Sequence, residues 1–155
     1  MGLRRMTLPE DAAKYINLCQ DGQFYEYLME QGNVVQHDRG NFKTRFFASV
    51  FFCKNSPIKR EAKLFGLIFP SVFEAVSDLK SRDYTQLSKL LQRVESSFII
   101  NRVVRALMNE CPELPLYTIH DSLLTTQEHA ETVRRTMMEQ FRRIGLVPTI
   151  NVERY

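Results

Sequence analysis

The run Leu116-Tyr117-Thr118-Ile119-His120-Asp121-Ser122-Leu123-Leu124 constrains the fold more than any other part of the chain. Two short β-rich runs flank a His-Asp-Ser tip, and Pro112 and Pro115 bound them upstream. This predicts an antiparallel hairpin from Leu116 to Thr125. The other patterns are mostly helical, so the hairpin implies an α+β layout with a small antiparallel sheet packed on helices. An Asp at the tip of a buried hairpin is a poor choice for stability alone. It suits a metal ion held against a phosphate, because two-metal phosphoryl transfer needs carboxylates fixed on rigid elements.

The helical patterns come first in the chain. Thr7-Leu8-Pro9-Glu10 reads as a capping box with Pro in the first turn, opening a helix to about Cys19. Asp21-Gly22 turns the chain, and Phe24 to Gln31 reads as a second helix ending at Gly32. After a loop from Asn33 to His37, Asp38 is expected to cap a helix from Arg39 to Lys54, which Asn55-Ser56-Pro57 stops. Ile58 to Phe69 and Ser71 to Lys80 are two more helices, separated by Pro70. Asp83 is the expected N-cap of the longest helix, about Tyr84 to Glu110, on which Leu87, Leu90, Leu91, Val94, Phe98, Val103, Val104 and Leu107 keep helical spacing. Beyond the hairpin, Thr125-Thr126-Gln127-Glu128 is a second capping box. Its helix carries Val133, Met137, Phe141 and Ile144 on one face and stops at Gly145. Leu146 to Glu153 reads as a final strand.

A chain of 155 residues is the size of one domain, with room for a core. A net charge of +3 permits nucleic-acid binding without arguing for it. Cys19, Cys53 and Cys111 are odd in number and widely spaced, which suits a reducing cytoplasm better than a disulfide framework. No apolar run is long enough to span a membrane, and the basic start lacks the apolar stretch of a signal peptide.

Arg39-Gly40-Asn41-Phe42-Lys43-Thr44-Arg45-Phe46-Phe47-Ala48-Ser49-Val50-Phe51 is the second informative segment. Arg39 and Lys43 share a helix face, and Phe47 and Phe51 continue it with a gradual drift. A helix of this length runs roughly 18 Å. It would set two cations at its N-terminal end, where free amides and the helix dipole favour phosphate, and rings further along that could stack on a base. The same residues also fit a solvated basic face over a core stripe of phenylalanines. Gln92 lies on the long helix and could reach a minor groove, whose acceptors are nearly sequence-independent. Glu95 lies near it, and Arg102 and Arg105 could contact phosphates but read better as a solvated face. His120 fits either a hydrogen-bonded turn or a contact to substrate or primer end. His37 and His129 are isolated, and no metal is assigned to them.

The run around His120-Asp121 resembles motif C, the His-Asp hairpin of the palm in family A DNA polymerases and phage-type single-subunit RNA polymerases. Ser122 is closer to the RNA enzymes. Arg39, Lys43 and Phe51 resemble motif B of the fingers, where the Lys grips the triphosphate and the last position is normally Tyr. Phe51 lacks the hydroxyl that helps the RNA enzymes to select ribose, which leaves the sugar preference open where Ser122 alone would point towards RNA. Phe47 falls where the DNA enzymes carry an aromatic against the sugar, Gln92 where the family checks the primer–template, and the tail resembles the last palm strand. The resemblance runs from about Gln23 to the end. It implies one partial polymerase domain, with fingers-like helices over about 1–82 and a palm-like part over about 83–155. It further implies Asp121 as a catalytic Mg2+ ligand, His120 beside it, and a nucleoside triphosphate and primer–template as partners. The Asp of motif A has no counterpart, since Asp11 and Asp21 sit at a helix start and a turn. Activity is therefore expected only when a second chain or a further segment supplies that carboxylate. The alternative is a non-catalytic nucleic-acid-binding or interaction module that keeps the fold.

Overall fold

A computed structural model describes residues 8–34, 38–119 and 122–154. It is mostly helical with one two-stranded antiparallel sheet, an α+β chain at the coarse level. The chain divides into two compact units, residues 1–88 and 89–155.

The first unit begins with α1 (Glu10–Gln20) and α2 (Phe24–Gln31). Gly22, at φ +70°, makes the turn between them, in a region that L side chains rarely adopt. Next are α3 (Arg39–Phe46), α4 (Arg60–Ile68), α5 (Pro70–Leu79) and the start of α6 (Thr85–Phe98). Asp83 accepts a hydrogen bond from the Thr85 amide at 2.9 Å, as an N-cap should. Asp38 does not cap α3 through its side chain. It accepts instead from Asn41 Nδ2 at 2.6 Å and from Arg45 at 3.0 Å. The capping Thr7 lies outside the described residues, as do Val35, Gln36 and His37.

The core of this unit is aromatic. Phe46 is fully buried, with the rings of Phe24, Phe51 and Phe65 each 5.3–5.4 Å away in edge-on contact. Such pairs add about 0.5–1.5 kcal/mol each beyond area burial. Leu28, Met29, Phe42, Val50, Ala62, Phe69, Val76 and Leu87 are buried in the same cluster.

The helix beginning at Arg39 does not stay α-helical to Lys54. It widens at Phe47 into a π-helical segment, Phe47–Phe51, with the Phe52 amide bonded to the Phe47 carbonyl five residues back. The sequence supplies the reason. Phe46-Phe47 and Phe51-Phe52 are aromatic pairs spaced by five, and a π turn brings residues five apart onto one side. Phe46 and Phe51 thus both face the core, while Phe47 and Phe52 stack at 5.4 Å on the outer side. Two hydrogen-bonding side chains, Lys80 at the C-terminal end of α5 and Asn55 in the turn itself, tie the turn that follows to α5. The ammonium of Lys80, only 5% exposed, donates to the carbonyls of Val50 and Cys53, and Asn55 Nδ2 donates to the Ser77 carbonyl at 2.8 Å. At the other end of α5, Asp11 accepts from the Ser71 amide at 2.8 Å.

The second unit carries the rest of α6, a π-helical segment at Ile99–Val104 and α7 (Arg105–Glu110). The single long helix expected from Tyr84 to Glu110 is thus one helical run with a π segment inside it. Strands β1 (Tyr117–Ile119) and β2 (Ser122–Leu124) pair Tyr117 with Leu124 and Ile119 with Ser122. The Thr125 hydroxyl closes the base by donating to the Pro115 carbonyl at 2.9 Å. A 3-10 turn at Gln127–His129 leads into α8 (Ala130–Arg143). There the expected capping box is replaced by a contact between the Thr126 hydroxyl and His129 Nδ1 at 2.7 Å. Val103, Leu107, Leu114 and Val133 form the core, with Leu123 and Met137 against it. The hairpin is not buried as the sequence suggested. Tyr117 is 72% exposed, and Leu123 is the one half-buried residue among the described strand positions.

The final strand expected at Leu146–Glu153 is not formed, and residues 146–154 carry no regular structure. Pro148 has no amide to donate to a ladder, and Val147 and Val152 are both more than half exposed. Gly145, at φ +78°, turns the chain out of α8, and the Leu146 amide bonds back to the Phe141 carbonyl.

Candidate functional site

In the first unit, α2 and α3 bring the two expected cations together. Arg39 Nε donates to the Glu26 carboxylate, and its guanidinium lies 5.5 Å from the centre of the Tyr25 ring. Lys43 Nζ lies 6.0 Å from the same ring. Tyr25 is a shared aromatic support for both charges, at a range where cation–π attraction still acts. Burial pushes the Tyr25 phenol up to about 12, with Cys19 adding to the rise and Arg39 opposing it. The second Glu26 oxygen is buried with no hydrogen-bond partner among the described residues. The Arg39–Glu26 pair is half exposed, so it contributes at most about 1 kcal/mol and can be exchanged for another anion.

Phe47 and Phe51, both expected at the site, touch at 5.4 Å but have different surroundings. Phe47 is half buried beside Phe52. Phe51 is 8% exposed and packed against Phe46 and Phe65. The row that follows Arg39 and Lys43 along the helix is therefore Phe47 and then Phe52. Tyr25, Glu26 and Phe52 were missed at the level of sequence. The five-residue spacing of the phenylalanine pairs was the available signal for Phe52. Nothing local signalled Tyr25 and Glu26, because α2 meets α3 only after folding.

In the second unit, Gln92 lines a shallow depression of about 430 Å³ with Lys89, Arg93, Ser96, Ser97 and Asn101. Its lining is basic and rich in donors, with no carboxylate, and Ile100 supplies its apolar contact. Such a face can contact phosphates through its charges and base edges through its amide. Glu95 does not line it.

His120 and Asp121 lie outside the described residues, between the paired Ile119 and Ser122. Among the described residues no group of three or more His, Cys, Asp or Glu side chains is placed to hold a metal ion. These residues alone therefore do not fit a Mg2+ site. Asp11, the nearest thing to a second carboxylate in the sequence, is engaged at the start of α5. Burial acts to raise its pKa, but the stronger combined effect of hydrogen bonds from Ser71 and neighbouring amides holds it below the ordinary value. Among the described residues no helix is long and apolar enough to cross a membrane.

No protein-family model matches this chain, and neither the curated proteins nor the solved structures compared with it gave a match.

Proposed function

We propose that this chain is the C-terminal fingers-and-palm portion of a template-directed nucleic-acid polymerase. The observation that carries the reading is the convergence of Arg39 and Lys43 over Tyr25, on a helix that continues into the half-buried Phe47 ring and the exposed Phe52 ring stacked on it. This has the polarity of a nucleoside triphosphate, with charge at one end and a flat ring at the other. Arg39 and Lys43 bind the triphosphate through charge-assisted contacts. Gln92, with Lys89 and Arg93 beside it, contacts the primer–template duplex. Asp121 is the Mg2+ ligand of the completed site, and His120 contacts the primer end. A second carboxylate has to come from a segment outside this sequence, so the chain alone does not extend a primer. The free thiols of Cys19, Cys53 and Cys111 fit a cytoplasmic setting.

The test is a salt titration of duplex binding beside a primer-extension assay with Mg2+. The reading expects weak binding with a log–log slope of about −2 to −4, little sequence preference and no extension. Absence of binding at low salt would contradict it. Robust extension by this chain alone would contradict the need for a second carboxylate. A second reading, a non-catalytic binding or interaction module, is favoured by one observation: Phe51, at the end of the motif B-like run, is core rather than surface.

A further inference from the structure

The π turn in the middle of the Arg39 helix changes which ring can meet a ligand. In an uninterrupted α-helix the cations of Arg39 and Lys43 would be followed by Phe47 and Phe51. The π segment instead sends Phe51 into the core and rotates Phe52 onto the outer row. Phe52 is 50% exposed, and its ring stacks on Phe47 with an interplanar angle of 27°. One face of Phe52 is thus supported and the ring is held flat, while half of the side chain meets solvent. Lys43 and Phe52 are about 13 Å apart along the helix axis, comparable to the length of an extended nucleoside triphosphate.

We infer that Phe52 is the base-stacking residue of this chain, with Phe47 as its support. The inference rests on the triphosphate reading of Arg39 and Lys43 and extends it to the nucleobase. A base laid on the free face of Phe52 would extend the existing ring stack by one layer. Every base has a π face, so the platform binds nucleotides without choosing strongly among them. It also gives the π turn a functional consequence: it brings an exposed ring into line with the phosphate-binding cations while keeping the core filled.

The chain contains no Trp, so Phe52→Trp installs a single indole reporter at the platform. ATP and inorganic tripolyphosphate, each with Mg2+, are titrated into this variant, the wild type and Phe52→Ala. Saturable quenching of the indole by ATP is expected. Tripolyphosphate should give little quenching and yet compete with ATP. Phe52→Ala should weaken ATP binding about tenfold and change tripolyphosphate binding by less than about twofold. Binding of both ligands with no quenching and no loss of ATP affinity in Phe52→Ala would overturn the stacking role and leave the triphosphate reading standing. Binding of neither ligand to any form would overturn the triphosphate reading itself, and the stacking role with it.

Discussion

The Lys80 ammonium donates to the Val50 carbonyl oxygen at 2.5 Å, inside a unit whose buried core is otherwise built of phenylalanines and aliphatic side chains. The same ammonium reaches the Cys53 carbonyl at 3.2 Å. Both acceptors lie where the π-helical segment ends, and terminal carbonyls of a helix need donors. Burial lowers the Lys80 pKa, with Cys53 opposing, so keeping this charge inside costs stability and the two hydrogen bonds offset it. Lys80→Met keeps the stem and removes the donor. It should lower unfolding free energy by about 1–3 kcal/mol in denaturant titrations, the cost of leaving buried carbonyls unsatisfied. A variant as stable as the wild type would mean that the desolvated charge cancels what its bonds contribute.

Tyr25 should make the fold sensitive to alkali. Its phenol is raised from 10 to about 12, first by burial. Above pH 10 the unfolded chain releases this proton while the native chain still holds it, so stability falls as pH rises from 10 to 12. The unfolding free energy of the wild type should fall more steeply across that window than that of Tyr25→Phe. Parallel curves for the two proteins would show that Tyr25 does not contribute.

Glu26 occupies Arg39 in the free protein, and a phosphate ligand has to displace it. Glu26→Gln should therefore tighten tripolyphosphate binding by about threefold to tenfold, since exposed like charges at this range repel by about 1 kcal/mol. The gain should vanish in an Arg39→Gln background, which calorimetric titration of the double-mutant cycle would read. A gain that persists without Arg39 would indicate a general charge effect.

Gln92→Ala and Arg93→Ala should weaken duplex binding in different ways. The uncharged Gln92 should change affinity and leave the salt slope alone. Loss of Arg93 should reduce the slope by about 1. Equal slopes for all three proteins would place the nucleic acid somewhere other than this depression.

Much of the helical plan was legible because local signals and packing agree. Pro9, Gly22, Pro70, Asp83 and Gly145 stand at boundaries that the structure keeps. The π segments were not legible from a period of 3.6, which Phe42 and Phe46 satisfy and Phe51 breaks. Only the repeat of the Phe-Phe pairs at a spacing of five carried that information. The last strand failed because Leu146, Ile150 and Val152 keep an alternating register that suggests a ladder, while Pro148 falls in that same register and Val147 and Val152 are exposed. The cation pair at Arg39 and Lys43 was legible as a helix face. Its partners Tyr25 and Glu26 were not, because they belong to another helix and are joined to it by tertiary packing.

The most direct measurement of the central claim is the effect of Lys43→Ala on two affinities of the full chain, for a Mg2+–nucleoside triphosphate and for a primer–template duplex. Lys43 shares the Tyr25 ring with Arg39 in the first unit, whereas Gln92 belongs to the second. Loss of a charge-assisted phosphate contact should weaken nucleotide binding by about tenfold or more, while duplex binding changes by less than about twofold. Equal losses in both affinities would contradict the account and leave α3 as a generic basic surface.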